Sequence, residues 1–146
     1  MLAAPQAAQA FATSGADANG SADFKAGVKA IRAEEFAKAV ELFTRVVEKD
    51  ASNADAFNYL AFSQRNLGKA EDAMANYEKA LAINPKHKGA LEYQGELFLK
   101  LGERARAEAN LAKLVAVCGR RCAERDALQA AIERAKDGKA VWLGPR

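Results

Sequence analysis

The segment ADAFNYLAFSQRNLGKAEDAMANYEKALAINPKH, residues 54–87, contains two helical stretches with a glycine between them and a proline after them. Leu67-Gly68 is typical of a helix end, because glycine readily adopts the left-handed conformation of the residue that follows the last turn. Asn84-Pro85 ends the second stretch, since proline cannot continue a helix and disfavours helical geometry in its predecessor. The segment therefore predicts a pair of antiparallel helices.

A shift of 34 residues brings similar residues into register on both sides of this segment. Small residues recur where two helices must approach closely, and a large residue recurs one turn later in the first two copies. The aligned sets are, in chain order, Gly27/Ala61/Gly95, Glu34/Gly68/Gly102, Ala39/Ala73/Ala107, Phe43/Tyr77/Leu111, Val46/Ala80/Leu114 and Ala51/Pro85/Gly119. Because the sets keep their order, they indicate three copies of one helix pair.

This pattern resembles the tetratricopeptide repeat (TPR), with units at about residues 20–53, 54–87 and 88–121. The middle unit matches best. The departures from the pattern are Asp23, Glu34 and Ala51 in the first unit, and Leu111 and Gly119 in the third. The resemblance implies an all-α fold, an α-solenoid of three TPR helix hairpins.

A stack of helix pairs leaves an apolar face on its last unit, so a C-terminal capping helix is expected to cover it. Residues 122–136 supply this helix, because Leu128 and Ile132 lie with several alanines on one apolar stripe. The predicted TPR domain therefore spans residues 22–137.

Two terminal segments fall outside this predicted domain. Residues 1–21 have no helical periodicity and predict a disordered tail or a signal-peptide remnant, because residues 8–10 have the small-x-small form of a cleavage site. Residues 138–146 form a C-terminal tail that contains Trp142. The sequence leaves open whether Trp142 packs on the cap helix, contacts a partner or is disordered, and whether the tail occupies the protein's own groove.

Composition argues against several classes of function. The 22 basic and 19 acidic residues give a net charge of +3, which is too small to indicate nucleic-acid binding. One His and two Cys cannot alone build a multi-ligand zinc or haem site, so no metal and no cofactor are expected. No apolar run is long enough to predict a membrane span.

The sequence also predicts a protein that is not an enzyme. The single histidine, His87, is interpreted as a solvated residue of the turn between two units. The serines lack the setting of a nucleophile elbow, and Gly68 and Gly102 are helix stops rather than parts of a phosphate loop. A monomer or a weak homodimer is expected.

The resemblance implies a binding function, because the first helix of each TPR unit lines a concave groove for a protein or peptide. The implied groove residues are Phe24, Val28, Asp55, Asn58, Phe62, Arg65, Glu92 and Glu96. Such a groove is aromatic at one end and acidic at the other, with Arg65 between, which favours a ligand with apolar anchors and a basic group.

One known TPR groove, the clamp for the C-terminal carboxylate of heat-shock chaperones, has Lys and Asn on the first of these helices and Lys and Arg on the third. This chain has Phe24 and Val28 on the first, and Glu92 and Glu96 on the third. The clamp is therefore not expected here, because an anionic C-terminus would meet two carboxylates.

Cys118 and Cys122 flank the predicted end of a helix, where the chain can curl and bring the two sulfur atoms together. Three interpretations remain open. The cysteines form a structural disulfide in an oxidising compartment, pack as reduced thiols, or serve a redox or metal role assisted by nearby arginines.

The sequence around this pair also resembles small bacterial envelope TPR proteins that have a Cys pair just before a closing helix. That resemblance implies a periplasmic or secreted protein, with a cytoplasmic location as the alternative. The sequence therefore favours a non-enzymatic adaptor. The alternative function is thiol–disulfide or metal handling by Cys118 and Cys122.

Overall fold

A computed structural model describes residues 19–136 of the protein, and this range contains seven α-helices. They are α1 (Ala22–Arg32), α2 (Phe36–Lys49), α3 (Ala54–Asn66), α4 (Ala70–Ile83), α5 (Lys88–Lys100), α6 (Arg104–Val117) and α7 (Ala123–Lys136). The predictions for residues 1–18 and for the C-terminal tail with Trp142 concern residues outside the described range. The prediction of a disordered tail is wrong for residues 19–21, because Asn19 donates to Asp55 at 2.8 Å and Ser21 caps α1.

The helices form three successive hairpins, α1 with α2, α3 with α4, and α5 with α6. The second helix of each of the first two hairpins packs on the first helix of the next, and α7 packs on both α5 and α6. No strand occurs between residues 19 and 136. The predicted all-α solenoid is therefore confirmed, and α7 corresponds to the predicted capping helix.

The turns inside the three hairpins share one hydrogen-bond pattern. A left-handed residue follows each first helix, with φ of +58° at Glu34, +78° at Gly68 and +77° at Gly102. In each turn this residue donates its N–H to the carbonyl three residues earlier at 3.0–3.1 Å, and the next residue donates to the carbonyl five residues earlier at 2.8–2.9 Å. This is the Schellman motif, so the first hairpin makes the same turn without glycine.

Small residues allow the close helix contacts that the repeat predicts. The alanines at the aligned close-approach positions, Ala39, Ala73 and Ala107, are fully buried. Phe43 and Tyr77 are also fully buried, whereas Leu111 in the third unit is only half-buried. A methyl group added at Gly95 would lie 2.7 Å from both terminal carbons of Leu128, so α7 packs directly against the glycine surface of α5.

The N-termini of α3 and α5 are capped by side chains. Asn53 accepts the Ala56 N–H at 2.9 Å, whereas the preceding Ser52 bonds to Asp50. His87 caps α5, and its Nδ1 accepts the Ala90 N–H at 3.1 Å.

Candidate functional site

The eight residues that the resemblance assigns to the groove, called the groove face below, lie on α1, α3 and α5. Phe24, Val28 and Asp55 are half-buried. The other five side chains, called the buried patch below, are Asn58, Phe62, Arg65, Glu92 and Glu96, and each residue is 2 to 6% exposed. The buried patch joins α3 to α5.

Arg65 and Glu96 form a buried ion pair between these two helices. Arg65 Nη1 donates to Glu96 Oε2 at 3.1 Å and to the Tyr93 carbonyl at 3.3 Å, and both charged side chains are 2% exposed. The guanidinium carbon also lies 5.1 Å from the Phe62 ring centre and 5.3 Å from that of Tyr93. Arg65 is therefore committed to linking α3 and α5, which makes it unsuited to binding a ligand anion.

Aromatic side chains line the groove face more extensively than the resemblance implied. Phe62 lies 4.9 Å from Tyr93 and 6.2 Å from Phe36, between ring centres, while Phe24 lies 5.8 Å from Tyr59. Tyr59 and Tyr93 were missed by the sequence reasoning, although they are 34 residues apart and thus form a further aligned set. Both tyrosines are half-buried, and Tyr59 also stacks on the fully buried Phe43 at 5.3 Å between ring centres, so only part of each ring contributes to the surface of the face.

Asp55 takes part in a polar network at the N-termini of α3 and α5. Its Oδ1 lies 2.8 Å from His87 Nε2, and its Oδ2 accepts from the Asn19 amide at 2.8 Å. Asn19 in turn accepts from Asn53 at 2.6 Å. The hydrogen bond from His87 is the main reason why the pKa of Asp55 lies below its ordinary value. Asp55 thus holds two hairpins together.

The interpretation of His87 as a solvated turn residue is wrong. The side chain is only 12% exposed, because it caps α5 and reaches back to Asp55. Since Nδ1 accepts a backbone N–H, the neutral ring carries its proton on Nε2, which faces the carboxylate. Both ring nitrogens are engaged in structural hydrogen bonds, so His87 is a poor candidate for a general base.

The sulfur atoms of Cys118 and Cys122 lie at disulfide-bonding distance where α6 ends. Cys122 is 4% exposed, and its Sγ accepts the Arg125 N–H at 3.4 Å. The Arg125 guanidinium donates to the carbonyls of Gly119 at 3.1 Å and Arg120 at 3.4 Å, and it also pairs with Asp126. These contacts fix the loop that leads into α7.

Among residues 19–136, no group of three or more His, Cys, Asp or Glu side chains is arranged to hold a metal ion. No helix within the same range is long and apolar enough to cross a membrane.

Comparison with known proteins agrees with this architecture. Residues 54–87 match the family model of the tetratricopeptide repeat. The crystal structure of the TPR domain of P58(IPK) superposes with a TM-score of 0.71 at 23% identity, over 83% of this chain and 33% of that one. This chain thus spans about a third of the P58(IPK) chain.

A second solved structure is the first TPR of Spaghetti (RPAP3) bound to the HSP90 peptide SRMEEVD. It has a TM-score of 0.68 at 18% identity, over 77% of this chain and 91% of that one. These similarities support the predicted resemblance: residues 54–87 match the tetratricopeptide repeat, and the described part of the chain has the fold of TPR domains.

Proposed function

We propose that this protein is a non-enzymatic adaptor that binds a protein or peptide on the groove face. The observation that carries the proposal is the aromatic surface formed by Phe24, Tyr59 and Tyr93 on the first helices of the three hairpins. Half-buried aromatic side chains provide large apolar contact areas at a small entropic cost, as peptide-binding surfaces require. The peptide bound to Spaghetti supports binding by the same fold.

The charge of the groove face favours a ligand with a basic group. Glu96 already pairs with Arg65, and both of these side chains are buried. Half-buried Asp55 adds a further carboxylate next to His87. An acidic peptide such as SRMEEVD would be repelled here, whereas a peptide with aromatic or aliphatic anchors and a lysine or arginine would be attracted.

A peptide array tests this specificity. Short peptides in which aromatic content and net charge vary independently are probed with the purified full chain, and SRMEEVD is included as the acidic reference. Binding is expected to rise with aromatic content and with positive charge. Equal binding of acidic and basic peptides would contradict the proposed ligand chemistry.

Two matched substitutions locate the binding surface. Asp55→Asn keeps the side-chain shape but removes a charge on a side chain that is 50% exposed, so the affinity of the best basic peptide should fall by about tenfold, the equivalent of one charge-assisted hydrogen bond. The control is Val115→Ala on α6, which trims a residue that is 58% exposed and outside the groove face. Fluorescence anisotropy measures both affinities, and an equal effect of the two substitutions would place binding elsewhere.

We further propose a location in the bacterial envelope, periplasmic or secreted, because the Cys118–Cys122 bond requires an oxidising compartment to persist. The burial of Cys122 supports a structural bond rather than thiol–disulfide or metal handling, which needs an accessible sulfur pair. Thiol counting by mass spectrometry on protein from its native host tests this. A quantitative disulfide supports the envelope, and two free thiols would favour the cytoplasm.

A further inference from the structure

A cleft lies between α4 and α6, the second helices of two adjacent hairpins, and both helices pack on α5. Beside the turn that follows α4, this cleft contains a cavity of about 350 Å³. Five of the seven residues that line the cavity are apolar, and they are Leu81, Pro85, Leu91, Ala116 and Val117. The volume is within the range of clefts that hold small molecules.

The 34-residue register of the repeat explains why this space is open. Phe57 in the second unit aligns with Leu91 in the third, and Lys79 aligns with Lys113. In the second unit, the ammonium nitrogen of Lys79 lies 5.6 Å from the centre of the Phe57 ring. Leu91 has no ring, so Lys113 cannot make the equivalent contact and the volume that a ring would fill stays open.

The other two lining residues, Lys86 and Lys113, are both cationic and exposed. Neither side chain forms an ion pair within residues 19–136. Neither lysine lies in the last turn of a helix, so compensation of the helix dipole does not account for them. Among the described residues no acidic side chain lines the cavity, although Glu78 lines the adjoining cavity that shares Lys113. The cavity thus combines apolar walls with an excess of positive charge.

We propose that this cavity binds an anionic amphiphile, which is a medium-length alkyl chain with a carboxylate or phosphate headgroup. The chain packs on the apolar walls, which removes its methylene groups from water. The headgroup accepts charge-assisted hydrogen bonds from the ammonium groups of Lys86 and Lys113. This inference goes beyond the proposed function, because the cavity and the groove face share no residue.

The apolar walls favour an alkyl chain over an acidic peptide. A peptide brings backbone N–H and C=O groups, and leaving such a group unpaired away from water costs about as much free energy as a lost hydrogen bond. The five apolar side chains provide no hydrogen-bond partner for these groups. An alkyl chain has no polar group along its length, so only its headgroup requires the two lysines.

Calorimetric titration of the purified full chain with decanoate, below its critical micelle concentration, measures this binding. Decyltrimethylammonium has the same alkyl chain with the opposite charge and should not bind. Octanoate should bind about 15-fold more weakly than decanoate, because each buried methylene group contributes about 0.8 kcal/mol. If decanoate does not bind, or if the cationic amphiphile binds equally well, the proposal is overturned.

Two substitutions block the cavity by different means. Leu91→Phe introduces the ring that Phe57 provides in the preceding unit, and Ala116→Glu places a carboxylate on the exposed wall. Each should weaken decanoate binding by at least about tenfold. Val115→Glu is the control, because it adds the same charge to the same turn of α6 at a residue that is 58% exposed and does not line the cavity. Equal losses in Ala116→Glu and Val115→Glu would overturn the proposal.

Lysine variants test the headgroup contacts. Lys86→Gln and Lys113→Gln should each weaken decanoate binding by about three- to fivefold, the effect of one exposed ion pair. The control is Lys100→Gln, an exposed lysine at the other end of α5. Far-UV circular dichroism verifies that each variant remains folded. If neither cavity lysine matters more than Lys100, positive charge does not recognise the ligand and the proposal is overturned.

A vesicle assay distinguishes the two sources of such a ligand, which are a membrane lipid and a free amphiphile. The parent chain and the Ala116→Glu variant are sedimented with phosphatidylglycerol vesicles. Sedimentation of the parent chain alone supports the site and assigns it to a membrane lipid. Decanoate binding without sedimentation supports the site and assigns it to a free amphiphile.

A competition experiment separates this inference from the proposed function. The best basic peptide of the array should not displace decanoate, because the two ligands occupy different surfaces. Displacement would place decanoate on the groove face, which overturns this inference and leaves the proposed function standing. If no array peptide binds, the proposed function fails, whereas decanoate binding that Ala116→Glu abolishes still supports the cavity.

Discussion

The turn inside each hairpin provides a test of backbone strain with an internal reference. Glu34, Gly68 and Gly102 have the same left-handed conformation and the same hydrogen bonds, but only Glu34 has a side chain. A non-glycine residue in this conformation costs about 1–2 kcal/mol. Glycine costs about 0.5–1 kcal/mol more than alanine in unfolded-chain entropy. Glu34→Gly is therefore expected to increase the free energy of unfolding by about 0.5–1 kcal/mol.

The reverse substitutions should have the opposite sign. A methyl group added at Gly68 or Gly102 meets no atom within 4 Å, so Gly68→Ala and Gly102→Ala introduce backbone strain without a steric clash. Each should lower the free energy of unfolding by about 1 kcal/mol. A steric clash cannot account for such a decrease, because the space around both glycines is open.

Ala33→Gly is the matched control for Glu34→Gly. Ala33 directly precedes Glu34 and has an ordinary φ of −89°, so glycine relieves no strain there. This control should lose about 0.5–1 kcal/mol through unfolded-chain entropy alone.

Urea unfolding monitored by far-UV circular dichroism gives the free energy of unfolding of the parent chain and of the four variants. At a constant m-value, the shift of each midpoint from that of the parent chain measures the change. Destabilisation by Glu34→Gly that equals the effect of Ala33→Gly would refute the reasoning. It would mean that the Glu34 conformation carries no strain that glycine can relieve.

Three further predictions concern the core and the polar network. Leu128→Ala should destabilise the protein by about 2.7–5 kcal/mol. Adding Gly95→Ala to this variant should restore part of the loss, because the new methyl group fills the cavity. If urea unfolding shows that the free-energy changes of the two substitutions simply add, this packing is contradicted. Tyr77→Phe should be neutral or stabilising, because the Tyr77 hydroxyl is buried without a hydrogen-bond partner in the described part of the chain. A decrease of more than about 1 kcal/mol in the free energy of unfolding would reveal a partner. His87 lowers the pKa of Asp55, so ionised Asp55 stabilises the folded state. This contribution to the free energy of unfolding is complete above the ordinary carboxyl pKa and is lost as the pH falls through the lowered pKa. The stability difference between the parent chain and Asp55→Asn should therefore narrow below about pH 4, and a constant difference in denaturant titrations would contradict the assignment.

The fold could be predicted because its determinants are local and repeated. The Gly68 turn, the Asn53 cap and the small residue Ala73 each depend on neighbours within one or two helical turns, and a 34-residue period multiplies these signals. The first unit departs from the pattern at Glu34, yet it makes the same turn there.

The candidate site was only partly predictable. The resemblance assigned the groove face to the first helix of each hairpin, but it treated Arg65 as a group between two ends of a groove. In the structure, Arg65 is the partner of Glu96, 31 residues away. Helical spacing gives the face on which a side chain lies, but not its distance from a side chain on another hairpin. The assignment of the eight residues to ligand binding stays a prediction.

The sequence by itself determined the repeat, the cap helix and the position of the Cys pair at the end of a helix. Only the tertiary structure decided that His87 is bound to Asp55 and that the groove face is largely buried. The physical reason is the range of the interactions. Turns and caps are set by hydrogen bonds between near neighbours in the chain, whereas ion pairs and burial depend on how the hairpins pack together.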